Sequence, residues 1–280
     1  MKKFAFIIDV ARCENCNNCF LSCKDEHCGN EWPDYSVSQP LHGQRWMNIA
    51  RKERGTFPEI DVAYLPKPCM HCDDAPCIEA ALDNAVYKRE DGIVIIDPLK
   101  ARGQKKLVQS CPFGAIWWND EAQLPQKCTF CAHLLDKGWK QPRCVQSCPT
   151  GALAILHVED AELEVLVKKE GLEYYDTSSA SARPRCFYKN LHRYAKCFIS
   201  GSVASGDEEK SECVVGVAVK LLQGEVLLAE QKSDDFGDFK FDRLSPKSGS
   251  YCVEIETAEG AKRAVAVQLD ESVSVGTLWV

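Results

Sequence analysis

The sequence predicts an α+β chain in two parts, a duplicated cysteine-rich first part and a seven-stranded β-sandwich behind it. Three observations carry this reading. Twelve of the seventeen cysteines fall into short spacings between Cys13 and Cys148. The segments around those cysteines occur twice in register, and such self-similarity decides the architecture before any local reading. From Cys197 onward, alternating apolar and polar runs are split by Gly, Asp, Ser and Pro turns, as in sandwich strands.

The first motif is Cys13-x2-Cys16-x2-Cys19-x3-Cys23. The last is Cys128-x2-Cys131-x12-Cys144-x3-Cys148-Pro149, and between them lie Cys69-x2-Cys72-x4-Cys77 and a detached Cys111-Pro112. The first spacing is that of bacterial two-cluster ferredoxins, where the fourth cysteine serves the other cluster of the pair. Ile7-Ile8-Asp9 through Cys13 recurs as Ile95-Ile96-Asp97 through Ala101, which sets Cys16, Cys19 and Cys23 opposite Gln104, Leu107 and Cys111. Likewise Cys128, Cys131, Cys144 and Cys148 fall opposite Cys69, Cys72, Cys77 and Ala81.

The swap rule then groups the thiols. Cys13, Cys16 and Cys19 take Cys148. Cys128, Cys131 and Cys144 take Cys23. Cys69, Cys72 and Cys77 take Cys111. A fourth group would need positions 81, 101, 104 and 107, which are Ala, Ala, Gln and Leu. All four missing thiols belong to one site, so the expectation is three [4Fe–4S] clusters and one lost site, in a duplicated ferredoxin-like domain. Zinc suits paired Cys-x-x-Cys motifs generally. Three thiols packed as Cys-x-x-Cys-x-x-Cys favour iron–sulfur instead. A disulfide framework is disfavoured by chain length and by the metal-like spacings.

The elements follow in order. Phe4–Val10 and Ile93–Asp97 read as buried strands, each leading into a motif. Ala115–Trp118 and Ala152–His157, each after a Cys-Pro-x-Gly-Ala turn, read as their partners. Pro98 suits the first turn of a helix running toward Val108. Glu159–Glu170 carries Leu163, Leu166 and Val167 at helical spacing, and Gly171 stops it. The expected domains are 1–175, with an insert at 24–68, a linker at 176–196 rich in Ser and Ala, and the sandwich at 197–280. The insert holds Trp32, Trp46 and a basic run from Arg45 to Arg54. It is too long for an idle loop. It reads either as a local cap or as a docking surface, since Trp and Arg are favoured interface anchors. The sandwich resembles adhesin repeats and transthyretin-like domains, and bears no catalytic constellation.

Net charge is −7 with no basic stripe, which argues against nucleic acid. Lys24, Arg102, Lys105, Lys106, Lys127 and Arg143 lie near the cysteines and offset cluster charge. No run reaches the ~20 apolar residues of a membrane span. Asp9 cuts the apolar run after Met1 too soon for a signal peptide. Cytoplasm is the expected location, and export together with a signal-bearing partner is compatible with the sequence. Of Cys28, Cys186, Cys197, Cys213 and Cys252, the last four lie outside the motif region and lack metal spacing, and all five read as small buried hydrophobes. His71 and His133 adjoin motif cysteines and are expected to donate hydrogen bonds near a cluster rather than to bind iron.

Lys127-Cys-Thr-Phe-Cys-Ala-His133, Pro142-Arg-Cys-Val-Gln-Ser-Cys-Pro149-Thr-Gly-Ala and Pro68-Cys-Met-His-Cys72 resemble the electron-transfer subunits of the dimethyl sulfoxide reductase family of molybdenum enzymes. Typical members bind four clusters, and this chain departs by one. Asn30-Glu-Trp-Pro33, Arg45-Trp-Met-Asn-Ile49, Lys88-Arg-Glu-Asp-Gly-Ile93 and Tyr188-Lys-Asn-Leu191 are similar to small subunits of phenol-modifying members. The resemblance implies an anaerobic heterodimer. Its large catalytic subunit would carry molybdenum on two pterin guanine dinucleotides. This chain would be a non-catalytic electron-transfer subunit, serving trihydroxybenzene transhydroxylation or, alternatively, reductive catechol dehydroxylation. From another class, a stand-alone polyferredoxin with a binding sandwich is the competing reading.

Overall fold

The apolar run after Met1 forms β1 (Lys3–Asp9) in a computed structural model that describes residues 1–206, 210–256, 260 and 262–280. The chain divides into two units, Met1–Ala50 with Tyr64–Leu191, and Arg51–Ala63 with His192–Val280. A hairpin of β2 (Asn48–Thr56) and β3 (Glu59–Lys67) runs from the first unit into the second. The insert's middle, Arg51–Ala63, thus groups with His192–Val280.

In the first unit, α1 (Asn18–His27) follows the first motif. Two local hairpins come next, β4 (Val86–Lys88) with β5 (Val94–Ile96), and β6 (Trp117–Asn119) with β7 (Leu124–Gln126). Single-turn helices α2 (Pro76–Glu79), α3 (Leu107–Ser110), α4 (Ala132–Leu135) and α5 (Arg143–Gln146) carry or flank the later cysteines. β8 (Leu153–Val158) pairs antiparallel with β1, and β9 (Cys186–Lys189) pairs parallel with its other edge. As the middle strand, β1 buries Ala5, Phe6 and Ile8. α6 (Asp160–Glu170) packs Leu163 and Val167 on this sheet against Ala5, Ile7 and Phe187. It carries acids in its first turn, lysines in its last, and Gly171 at φ 60° to close it.

Three expectations differ from the structure. β5 pairs with β4 rather than with the strand after Cys111, because a tight turn with Gly92 at φ 84° folds the chain straight back. After Pro98 the Asp97 carboxylate accepts from the Leu99 and Lys100 amides, and Gly103 at φ 75° breaks the turn, so only Leu107–Ser110 is helical. The segment read as a linker holds a 3-10 turn at Thr177–Ala182 and then β9, whose Cys186, Phe187 and Tyr188 are buried.

In the second unit, α7 (His192–Ala195) precedes β10 (Cys197–Gly206). β10 pairs with β11 (Ser211–Cys213), β14 (Asp238–Leu244) and β17 (Val273–Trp279). A second sheet runs β13 (Val226–Lys232), β12 (Ala218–Gln223), β15 (Gly249–Glu256), β16 (Lys262–Leu269). Both sheets contribute to one core containing Ile199, Val203, Phe239, Val219, Val253 and Leu278. Alternation explains β15, where Tyr251, Val253 and Ile255 face this core while Cys252 faces away half-buried. β11 is the strand the sequence did not reveal. Of the five spare cysteines, Cys186 and Cys197 are buried, Cys28 and Cys252 are half-buried and Cys213 is exposed, so the buried-hydrophobe reading fails for Cys213.

Candidate iron–sulfur sites

The Cys13–Cys16, Cys69–Cys72 and Cys128–Cys131 segments bend at the residue before the second cysteine. Asn15, His71 and Phe130 all sit in the left-handed region, at φ 55°, 46° and 58°. Asparagine and histidine adopt it more readily than most residues, and phenylalanine seldom does. The bend turns a backbone amide onto the first thiol: His71 N–H donates to Cys69 Sγ at 3.5 Å, and Phe130 N–H to Cys128 Sγ at 3.4 Å. It also brings the two thiols of each segment to the same side.

The other thiols arrive by helix packing. α1 lies against α5, joined by Ser22 Oγ to Ser147 Oγ at 2.8 Å and Ser147 Oγ donating to Asn18 O at 3.3 Å. Cys23 thereby reaches Cys128, Cys131 and Cys144 around one enclosed cavity. α2 and α3 repeat the arrangement in the second half, and Cys69, Cys72, Cys77 and Cys111 line a second cavity. At the third site, Cys13 and Cys19 each feel the charges of Cys16 and Cys148. Cys23 with Cys128, Cys131 and Cys144, and Cys111 with Cys69, Cys72 and Cys77, thus stand around shared cavities, and Cys13, Cys16, Cys19 and Cys148 lie near one another. Among the described residues no three His, Cys, Asp or Glu side chains converge on the single point one metal ion needs. Two groups stand around a void instead.

These thiols are poor thiolates by themselves. Burial, with neighbouring thiols adding, pushes Cys19 up to about 12 and Cys72 higher still. Burial pushes Cys131 up to about 12, Cys128 to about 11 and Cys77 to about 11. Burial raises Cys148 too, but amide and hydroxyl donors from Leu153, Thr150 and Ala152 outweigh it and bring the thiol below its ordinary value. Deprotonating four close, dry thiols requires a strong positive centre. A donor set of four thiols around a dry void fits an iron–sulfur cluster.

The surroundings supply charge and walls. Lys127 Nζ donates to Val94 O and to Cys128 O, and lines the Cys69 cavity. Lys88, which the sequence did not single out, donates to Cys72 O at 2.8 Å and His71 O at 3.2 Å. Arg143 pairs instead with Glu26 and Asp25. His133 bonds Glu26 at 2.9 Å and stacks on Trp32 at 4.1 Å. His27 walls the Cys23 cavity, and burial with His133 nearby lowers it to about 3. Its signal was its position four residues after Cys23, on the same helix face.

Gln104 stands where the duplicated pattern has Cys16. Its amide accepts from Leu82 N–H at 2.9 Å and donates to Leu82 O and Lys100 O, while Ala101 and Leu107 are fully buried beside it.

Two expected interface anchors are not available for docking. Trp46 is 2% exposed, contacts the His27 ring at 4.7 Å and walls the Cys23 cavity. Arg54 is 3% exposed and ion-paired with Asp61 and Asp242. The Trp46 part of the insert is a cap. Trp46→Ala should cost about 3–5 kcal/mol and speed the release of iron from the Cys23 site to a chelator. Unchanged release would show that Trp46 is no seal.

A family described as a 4Fe-4S dicluster domain matches residues 60–158. The pyrogallol hydroxytransferase small subunit of Pelobacter acidigallici is 45% identical over 281 residues, covering 99% of this chain and 98% of its own. One subunit of the tetrathionate reductase of Salmonella typhimurium is 36% identical over 56% of this chain and 59% of its own. The arsenate respiratory reductase iron-sulfur subunit of a Shewanella species is 27% identical over 58% of this chain and 85% of its own. Among the described residues no helix is long and apolar enough to cross a membrane. The cysteine motifs, their internal repeat and a relative aligned end to end place this chain in the family of iron–sulfur small subunits of dimethyl sulfoxide reductase-type molybdenum enzymes.

Proposed function

We propose that this chain is the non-catalytic electron-transfer subunit of a molybdenum transhydroxylase acting on trihydroxybenzenes, and that it holds three [4Fe–4S] clusters. The observation that carries the cluster count is the gathering of twelve thiols into three fours. The fours follow one another. Cys19 and Cys23 join the first two through α1, and Cys128 feels the charge of Cys69 across the next step. When bound, the clusters accept and release single electrons. The chain's own part is to hold them in sequence, keep them dry and set their charge through Lys127 and Lys88. Molybdenum and its two pterins belong to the large partner, as does the reaction.

Transhydroxylation moves a hydroxyl between aromatic rings without net oxidation, so a wire that ends inside the protein suffices. Gln104, Ala101 and Leu107 shorten the row by filling the place after the Cys69 site. The relative named for pyrogallol aligns over the C-terminal sheets as well, which supports the same substrate class. Those two sheets are read as a β-sandwich serving contact or shielding, and the cytoplasm as the location.

The complex purified without oxygen should contain about twelve irons per chain of this kind. It should convert pyrogallol to its 1,3,5-isomer with a tetrahydroxybenzene co-substrate and no electron donor. About sixteen irons, or zinc in their place, would sink the cluster count. Turnover that needs a reduced viologen and strips a hydroxyl from a catechol would replace transhydroxylation with reductive dehydroxylation.

A further inference from the structure

The duplication sets a histidine and a phenylalanine at one position. His71 precedes Cys72 as Phe130 precedes Cys131, and both take the same left-handed backbone. Their surroundings also correspond, because β5 repeats β1 with Val94 opposite Phe6. Phe130 packs on Phe6 at 4.2 Å between ring centres. His71 meets the Val94 N–H, which donates to its Nδ1 at 3.1 Å. The reason lies in the sheets. Phe6 N–H is already taken by Arg185 O beside β9. β5 has only β4 as a neighbour, so the Val94 amide needs a side-chain acceptor.

That bond fixes the histidine. A backbone amide only donates, so Nδ1 carries no proton and the neutral ring bears its hydrogen on Nε2. His71 is 2% exposed, and its buried Nε2 meets no hydrogen-bond partner among the described residues. A buried donor left unpaired costs about 1–3 kcal/mol. The residue lines the cavity of Cys69, Cys72, Cys77 and Cys111. His27 lines the neighbouring cavity, but its Nδ1 meets no hydrogen-bond partner among the described residues.

We propose that His71 donates its Nε2–H to a sulfur of the cluster held by Cys69, Cys72, Cys77 and Cys111, and raises that cluster's reduction potential. The bond strengthens as the cluster gains an electron, because the sulfurs become more negative. Hydrogen bonds to sulfur are among the factors that set such potentials. His71 is a positioning and tuning group, held by Val94, and transfers nothing itself. The proposal rests on the three-cluster reading.

The test is His71→Phe in the assembled complex. The copy already carries phenylalanine at this backbone angle, so the ring should fit, while the Val94 amide loses its acceptor at a cost of about 1–3 kcal/mol. An anaerobic redox titration followed by electron paramagnetic resonance should show one component, the one absent from Cys111→Ala, becoming harder to reduce. At a fixed ambient potential its reduced-to-oxidised ratio should fall about tenfold, which is ~59 mV for one electron. The other two components should not move. An unchanged potential with all irons retained overturns the proposal.

If His71→Phe loses that cluster, the unaltered complex decides. With nitrogen-15 histidine, the reduced component should show coupling to one ring nitrogen and one exchangeable proton. Absence of both also overturns the proposal. A wild-type count below about twelve irons would strike the underlying three-cluster reading instead.

Discussion

Cys23→Ala and Cys111→Ala should each remove one cluster, about four of the twelve irons, and in each case a cluster built mainly from another motif. Cys19 and Cys23 are four residues apart on α1, yet they serve different groups. The Cys19 thiol feels Cys13, Cys148 and Cys16, whereas the Cys23 thiol feels Cys128 and Cys131 most strongly. Cys111 sits at the end of α3, far along the chain from Cys69 and Cys72, but lines their cavity. Removing either thiol leaves three ligands and one open iron in a dry site. Iron and sulfide analysis with paramagnetic spectra of the two variants reads the result. Loss of only the Cys13 group's signal in Cys23→Ala would break the pairing.

The way the thiols gather is legible in the sequence because two rules act together. Spacing fixes three neighbours, and the duplication names the fourth by position. The same logic marks Ala81, Ala101, Gln104 and Leu107 as one missing set. It does not say what fills the gap. Only the fold reveals that the Gln104 amide bridges to Leu82 and Lys100. The bend at Phe130 is equally silent in sequence, since phenylalanine seldom adopts that backbone. The loop imposes the conformation in order to turn an amide and two thiols inward.

Elsewhere residue type misled. Trp46 and Arg54 have the chemistry of interface anchors, but exposure is a property of packing and not of composition. β9 was hidden by its Ser- and Ala-rich approach, and its four residues form a strand only because β1 offers a free edge. The sheets of the second unit were easier, because strict alternation repeats through β12, β14 and β15. β11, three exposed residues long, carries no such pattern.

Arg54→Met should destabilise the second unit by about 3 kcal/mol. The Arg54 side chain is 1% exposed and has several partners. It donates to Asp61 Oδ2 at 2.7 Å, to both oxygens of Asp242 at 3.4 Å, and to the carbonyls of His192 and Lys196 at 3.3 and 3.1 Å. It also stands 5.1 Å from the Phe198 ring. Methionine keeps the volume but strands the carbonyls of His192 and Lys196 and takes a partner from Asp242 and from Asp61, which keeps Arg193 at 2.8 Å. Breaking a buried pair in this way costs about 3–5 kcal/mol. The lower end applies, because Asp61 and Asp242 stay partly solvated, at 19% and 28% exposed. Burial pushes the Asp61 carboxyl up, but the Arg54 hydrogen bond and the charges of Arg193 and Arg54 outweigh it, leaving it below its ordinary value. A depressed carboxylate adds stability above its unfolded pKa, near ~3.9, and that stability fades as pH falls through the folded value. The wild-type unit should therefore weaken below about pH 4, and Arg54→Met should show less of that acid dependence from a lower starting stability. Hydrogen exchange of the holo chain, read at β10 and β14, measures both effects. Protection in those strands equal to wild type would mean that Asp61 and Asp242 are satisfied without Arg54.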